Sequence, residues 1–256
     1  LLWDCNAHAY EHLLMLNRDY GSIGGEEVTL HLELNNSIAE VQFNSQFDMS
    51  IKNSLKVLRK YKNSVYKIPV INHYILLGRC YANTGEFEKA EQRLLYAAGL
   101  ITPKDPEYVF VKVDILHVLT MNEQIAERGH ENSIQYLTEA IDLLRNDSSA
   151  RKASCFMALG NVYINADDIE NALEKYRIAA VTYEHNFDLA NLGNVYCNIG
   201  TCYLKKDDFD TAENYFKKSL EFRMKVGSPE HLSISYYNMA LVYKAKRELD
   251  AANTLL

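Results

Sequence analysis

The sequence is short of the residues that interrupt helices. Across 256 residues there are only four prolines and eleven glycines. Proline fixes φ and removes an amide donor, and glycine costs backbone entropy inside a regular element. Their scarcity leaves room for long helices and little for a loop-rich fold. No apolar run approaches the roughly 20 residues that a membrane-crossing helix needs, and the start of the chain lacks the charged-then-apolar pattern of a secretory leader. Five cysteines, Cys5, Cys80, Cys155, Cys197 and Cys202, form no Cys-x-x-Cys pair and are odd in number. They read as reduced, buried small hydrophobes, not as a disulfide framework. Basic charge is lacking too: 27 Lys and Arg against 34 Asp and Glu leave a net charge of −7. That argues against the clustered basic footprint of a nucleic-acid-binding surface. The expectation is a cytoplasmic chain that meets neither nucleic acid nor membrane.

Signatures of chemistry are also missing. No His-Glu-x-x-His and no ordered Ser, His and Asp set appears. Gly21-Ser22-Ile23-Gly24-Gly25 is glycine-rich but matches neither a phosphate loop nor a dinucleotide fingerprint. The paired carboxylates Asp167-Asp168 and Asp207-Asp208 fall in turns, where they serve helix starts and the dipole favours negative charge. Cys5, His8 and His12 share one face of an amphipathic first helix, but a closed zinc site wants four ligands and no fourth is near. We therefore expect no enzyme, no cofactor and no metal in this segment.

What the chain does have is self-similarity at a shift of 40 residues. Phe156, Tyr196 and Tyr236 coincide, then Leu159, Ile199 and Met239, then Gly160, Gly200 and Ala240. Tyr163, Tyr203 and Tyr243 follow, and Ala172, Ala212 and Ala252 close the pattern. A fixed period of this size marks a repeat architecture. Within one unit, Phe156, Leu159, Gly160 and Tyr163 recur at helical spacing and form one apolar stripe. Asn165-Ala166-Asp167-Asp168 is a polar turn with an N-cap candidate in Asp167 or Asp168. A second stripe runs through Ile169, Ala172, Leu173, Tyr176 and Ala179. Gly160 and Ala172 lack bulk, so the two helices can approach closely while aromatics fill the flanks. One such hairpin cannot bury both its faces alone and must stack on neighbours.

The stretches FMALGNVYINADDIENALEKYRIAA, YCNIGTCYLKKDDFDTAENYFKKSL, YYNMALVYKAKRELDAANTLL and, from Tyr74 to Leu100, YILLGRCYANTGEFEKAEQRLLYAAGL carry this pattern in register. On these residues the chain resembles the tetratricopeptide repeat (TPR) family. The family's commonest unit has 34 residues; the period of about 40 here resembles the long-repeat type found in partner-organising scaffolds and peptide-sensing regulators. The resemblance implies an all-α, right-handed superhelical TPR solenoid of antiparallel helix hairpins. We expect clear repeats at 71–104, 153–184, 193–224 and 233–256, and degenerate ones at about 32–62 and 107–145. Residues 1–25 read as an N-terminal helix and a glycine-rich linker, and 26–256 as the solenoid. A start at Leu1 and a stop at Leu256 inside a repeat suggest a piece of a longer protein.

In such a solenoid the first helix of each unit lines the concave face. That face would carry Asn72 and Arg79, then Asn161, then Asn194, Cys197 and Asn198, then Tyr237 and Asn238. Asparagine recurs, and its amide offers both a donor and an acceptor, so it can grip a peptide backbone whatever its side chains. The family's carboxylate clamp for chaperone tails needs lysine or arginine; Met157, Ile234 and Asn238 stand there instead, so the resemblance does not extend to that ligand. The expected function is recognition of a protein or extended peptide in the concave groove, as the sensory or partner-recruiting part of a larger regulatory protein. The alternatives are a static scaffold that self-associates, as a homodimer for example, through its last hairpin, and the sensor of an enzyme such as a nucleotide cyclase or kinase whose catalytic domain lies elsewhere. On this reading Asn161, Asn198 and Asn238 can be changed together to alanine with helicity and melting nearly unchanged.

Overall fold

In a computed structural model, residues 25–44, 46–61, 63–227 and 229–246 are described. The expected helix at Leu1–Tyr20, most of its linker, the Cys5, His8 and His12 set, and the end of the last expected repeat from residue 247 lie outside those residues. Among the described residues the fold is all-α, with eleven helices and no strand. They are α1 (Glu26–Asn44), α2 (Phe47–Lys60), α3 (Lys67–Asn83), α4 (Phe87–Leu100), α5 (Tyr108–Ile125), α6 (Glu131–Leu143), α7 (Ala150–Asn165), α8 (Ile169–His185), α9 (Leu189–Lys205), α10 (Phe209–Val226) and α11 (Pro229–Ala245). No described helix is long and apolar enough to cross a membrane. The chain divides into two compact units, Leu1–Tyr136 and Leu137–Leu256.

The turns explain how so few glycines suffice. Gly85 takes φ +81° between α3 and α4. The corresponding places after α5, α7 and α9 hold Glu127, Asp167 and Asp207 at φ 52°, 60° and 58°, and Phe187 takes φ 55° between α8 and α9. Aspartate tolerates this left-handed region better than most residues, whereas a bulky aromatic there is strained. After the corners at Asp167, Phe187 and Asp207 the next residue caps the following helix. Asp168, Asp188 and Asp208 accept hydrogen bonds from the amides of Asn171, Asn191 and Thr211 at 3.1–3.2 Å. Of the two N-cap candidates in the α7–α8 turn, Asp168 caps and Asp167 makes the left-handed corner.

In the first unit α3 packs against α4, with Leu94 of α4 filling the space that Gly78 leaves on α3. Ile71, Leu94, Ala97, Val111 and Ile115 join α3, α4 and α5 in one apolar cluster. α1 and α2 pack together and both reach α3, where Leu34, Leu76 and Cys80 are buried. In the second unit α7 pairs with α8 and α9 with α10, and α11 follows on α10. Here glycine is required by close approach. A Cβ on Gly160 would stand 2.5 Å from the Tyr176 ring, and one on Gly200 would stand 2.7 Å from the Phe216 ring. Tyr176 and Phe216 are themselves fully buried, so each hairpin closes with an aromatic ring laid on a bare stretch of helix.

Candidate functional site

The first helices of the second unit, α7, α9 and α11, place Asn161, Asn198 and Asn238 half-buried and Tyr237 exposed. The amides do not stand alone. Asn161 Oδ1 accepts from Tyr176 Oη at 2.7 Å and from Asn198 Nδ2 at 3.0 Å. Asn238 Nδ2 donates to Cys197 Sγ at 3.1 Å. The same residues thus tie α7 to α9 and α9 to α11. Burial pushes the Tyr176 phenol well above its usual range, which keeps its proton in place as the donor.

These bonds fix which end of each amide is left over. Both acceptor directions of Asn161 Oδ1 are used, so its two N–H donors remain. Asn198 spends a donor on Asn161, and its carbonyl oxygen remains. Neighbouring helices therefore offer a donor on one and an acceptor on the other, held in register by the bond between them.

Asn194 sits deeper in the junction. Its Oδ1 accepts from Arg223 of α10 at 3.0 Å, and Arg223 also donates to Ser235 Oγ of α11 at 2.7 Å. Arg223 is almost fully buried, and its Cγ would lie 2.9 Å from a Cβ on Gly193. Asn194 is thus committed to holding α9, α10 and α11 together. Cys197, expected on the open face, is buried against Phe216 and Met239, because the turn from Asn194 to Asn198 rotates it inward. The part played by Arg223 escaped the sequence reading, although its spacing from Ala212, Phe216 and Ser219 puts it on the buried stripe of α10.

Asn72 and Arg79 belong to α3 in the first unit, and both are half-buried. Desolvation lowers the Arg79 guanidinium from its usual value, and the carboxylate of Asp114 on α5 works in the opposite sense. Among the described residues no cluster of His, Cys, Asp and Glu could hold a metal ion.

Residues 191–256 match the model of the tetratricopeptide repeat family. The chain is similar to the BBSome complex member BBS4 homolog of Drosophila melanogaster, with 28% identity over 183 residues, which are 71% of this chain and 32% of that protein. It thus spans about a third of the length of that relative. Among solved structures it is similar to a signal transduction ATPase with numerous domains and a tetratricopeptide repeat sensor from Pyrococcus horikoshii. The TM-score is 0.74 at 15% identity, over 90% of this chain and 35% of that one. It is also similar to NprR in complex with its cognate peptide NprX, with a TM-score of 0.63 at 17% identity over 99% of this chain and 73% of that one. The family match thus lies in residues 191–256, and the described residues have the all-α fold of tetratricopeptide repeat structures.

Proposed function

We propose that this chain is a protein-binding module that takes an extended peptide segment along the first helices of its hairpins. The observation that carries the reading is the orientation of Asn161 and Asn198. A peptide bond shows one acceptor and one donor, and the remaining donors of Asn161 and acceptor of Asn198 match it without reference to side chains. Met157, Ile234 and Asn238 are uncharged, and Ile234 and Tyr237 are about half exposed at 47% and 54%. That suits a neutral or apolar segment better than a terminal carboxylate, which needs charge-assisted donors. The peptide-bound state of NprR, a structure of the same fold, supports a peptide as the ligand class. The net charge of −7 speaks against nucleic acid as the partner. As part of a longer protein, the module would recruit a partner or sense a peptide and would not catalyse.

The test is an isosteric change. Asn161→Asp keeps Oδ1, and with it the bonds from Tyr176 and Asn198, but removes both amide donors. A peptide display library panned on the wild-type chain and on Asn161→Asp in parallel should yield peptides that the variant holds at least tenfold more weakly. Equal retention by both would sink the groove assignment.

A further inference from the structure

The seam between α1, α2 and α3 is unusual in being polar at its centre. Ser37, Ser50 and Ser54 are buried at 0–1% exposure, and His73 of α3 is fully buried among them. Its Nδ1 lies 3.2 Å from Ser54 Oγ of α2, and Cys80 Sγ, two turns along α3, donates to Ser50 Oγ at 3.6 Å. The ring's other nitrogen, Nε2, is buried without a well-formed hydrogen bond, although the Leu30 backbone of α1 acts on the ring in the sense that favours its charged form. Serine hydroxyls bury little apolar area, so this seam leans on Leu34, Leu76, Ile38, Phe47 and Ile51 at one end. At its centre stands an imidazole whose burial favours the uncharged form.

We propose that α1 and α2 form an acid-releasable hairpin, latched onto α3 by the neutral imidazole of His73. Burial lowers the ring's pKa from 6.5 to about 4, against the backbone of Leu30 in α1, which favours the charged form. His31 of α1 acts on it and disfavours the charged ring; α1 also carries Glu33, which pairs with Lys60 of α2 at 3.8 Å and has its other carboxylate oxygen buried. The buried face of α2 carries Ser50, Ser54, Val57 and Leu58, that of α4 carries Ala90, Leu94 and Ala97, and neither brings a carboxylate. α5 buries Glu123, but that side chain is engaged by Arg128 and Asn132.

The sign follows from linkage. The folded pKa lies below the unfolded one, so the latch is fully present above pH 6.5 and is lost as pH falls towards 4. Each pH unit inside that window favours the released form by up to about tenfold. Between pH 7.5 and 5.0 the released population should rise about 30-fold, exposing Leu76 and Leu77 of α3.

Hydrogen exchange of the full chain at pH 7.5 and 5.0, corrected for the intrinsic pH dependence, reads this directly. Amides of α1 and α2 should lose about 30-fold in protection relative to those of α9 and α10, which hold no buried histidine. The loss should vanish in His73→Gln, whose side chain stays neutral and can still reach Ser54. Equal loss in both helix pairs, or a loss that persists in His73→Gln, overturns the proposal. Should that variant not fold, the ring decides: in the folded wild-type chain its NMR titration must lie below pH 5, and a midpoint near 6.5 refutes the latch.

Discussion

The close approach of α9 and α10 can be tested with a single methyl group. Adding Cβ at Gly200 places a carbon 2.7, 2.8 and 3.1 Å from three atoms of the Phe216 ring. Carbon atoms rest at about 3.5–4.0 Å, so the ring must retreat by most of an ångström. It has nowhere to go, being enclosed by Cys197, Ala212, Met239 and Val242. Overpacking of this kind costs about 1–3 kcal/mol. Opposing it is the gain of about 1 kcal/mol when alanine replaces glycine in a helix. Gly200→Ala should therefore be neutral to destabilising by about 2 kcal/mol. Removing the obstacle changes the sign: in a Phe216→Ala background the same methyl should stabilise by about 1 kcal/mol, giving a coupling of about 1–3 kcal/mol in the cycle. Stacked repeats need not unfold as one transition, so the readout is hydrogen-exchange protection of α9 and α10 amides in the four proteins. Gly99 supplies the control, since a Cβ there meets nothing within 4 Å; Gly99→Ala should not destabilise. A gain of about 1 kcal/mol from Gly200→Ala in both backgrounds would refute the close approach.

Two further outcomes follow from the second unit. Asn161→Ala should cost about 1–3 kcal/mol, because it leaves the buried Tyr176 hydroxyl without its acceptor, while Asn161→Asp should cost far less; thermal melts of the two variants compare them. Phe187 holds φ 55° with 86% of its surface exposed, so Phe187→Gly should raise stability by about 0.5–1 kcal/mol, and an unchanged or lower melting temperature would show that the turn is not strained.

The fold was legible because its determinants are local and periodic. Glycine at Gly160 and Gly200, an aromatic sixteen residues on at Tyr176 and Phe216, and the acidic turns at Asp168 and Asp208 are all contained in one hairpin. A period of 40 repeats them visibly. The candidate site was legible only as a helix face. Sequence places Asn161, Asn194, Asn198 and Asn238 on one side, but it is silent on whether an amide points at solvent or at a neighbour. That depends on partners 15 to 41 residues away: Tyr176, Arg223, Asn161 itself and Cys197. The structure divides the asparagines accordingly. Asn194 is absorbed by a buried arginine, whereas Asn161 and Asn198 spend part of their capacity on each other and keep the rest. The expectation that the triple alanine variant leaves stability untouched therefore does not hold. Any experiment built on it would confuse a lost ligand with a loosened helix pair, and only a substitution that preserves Oδ1 of Asn161 separates the two.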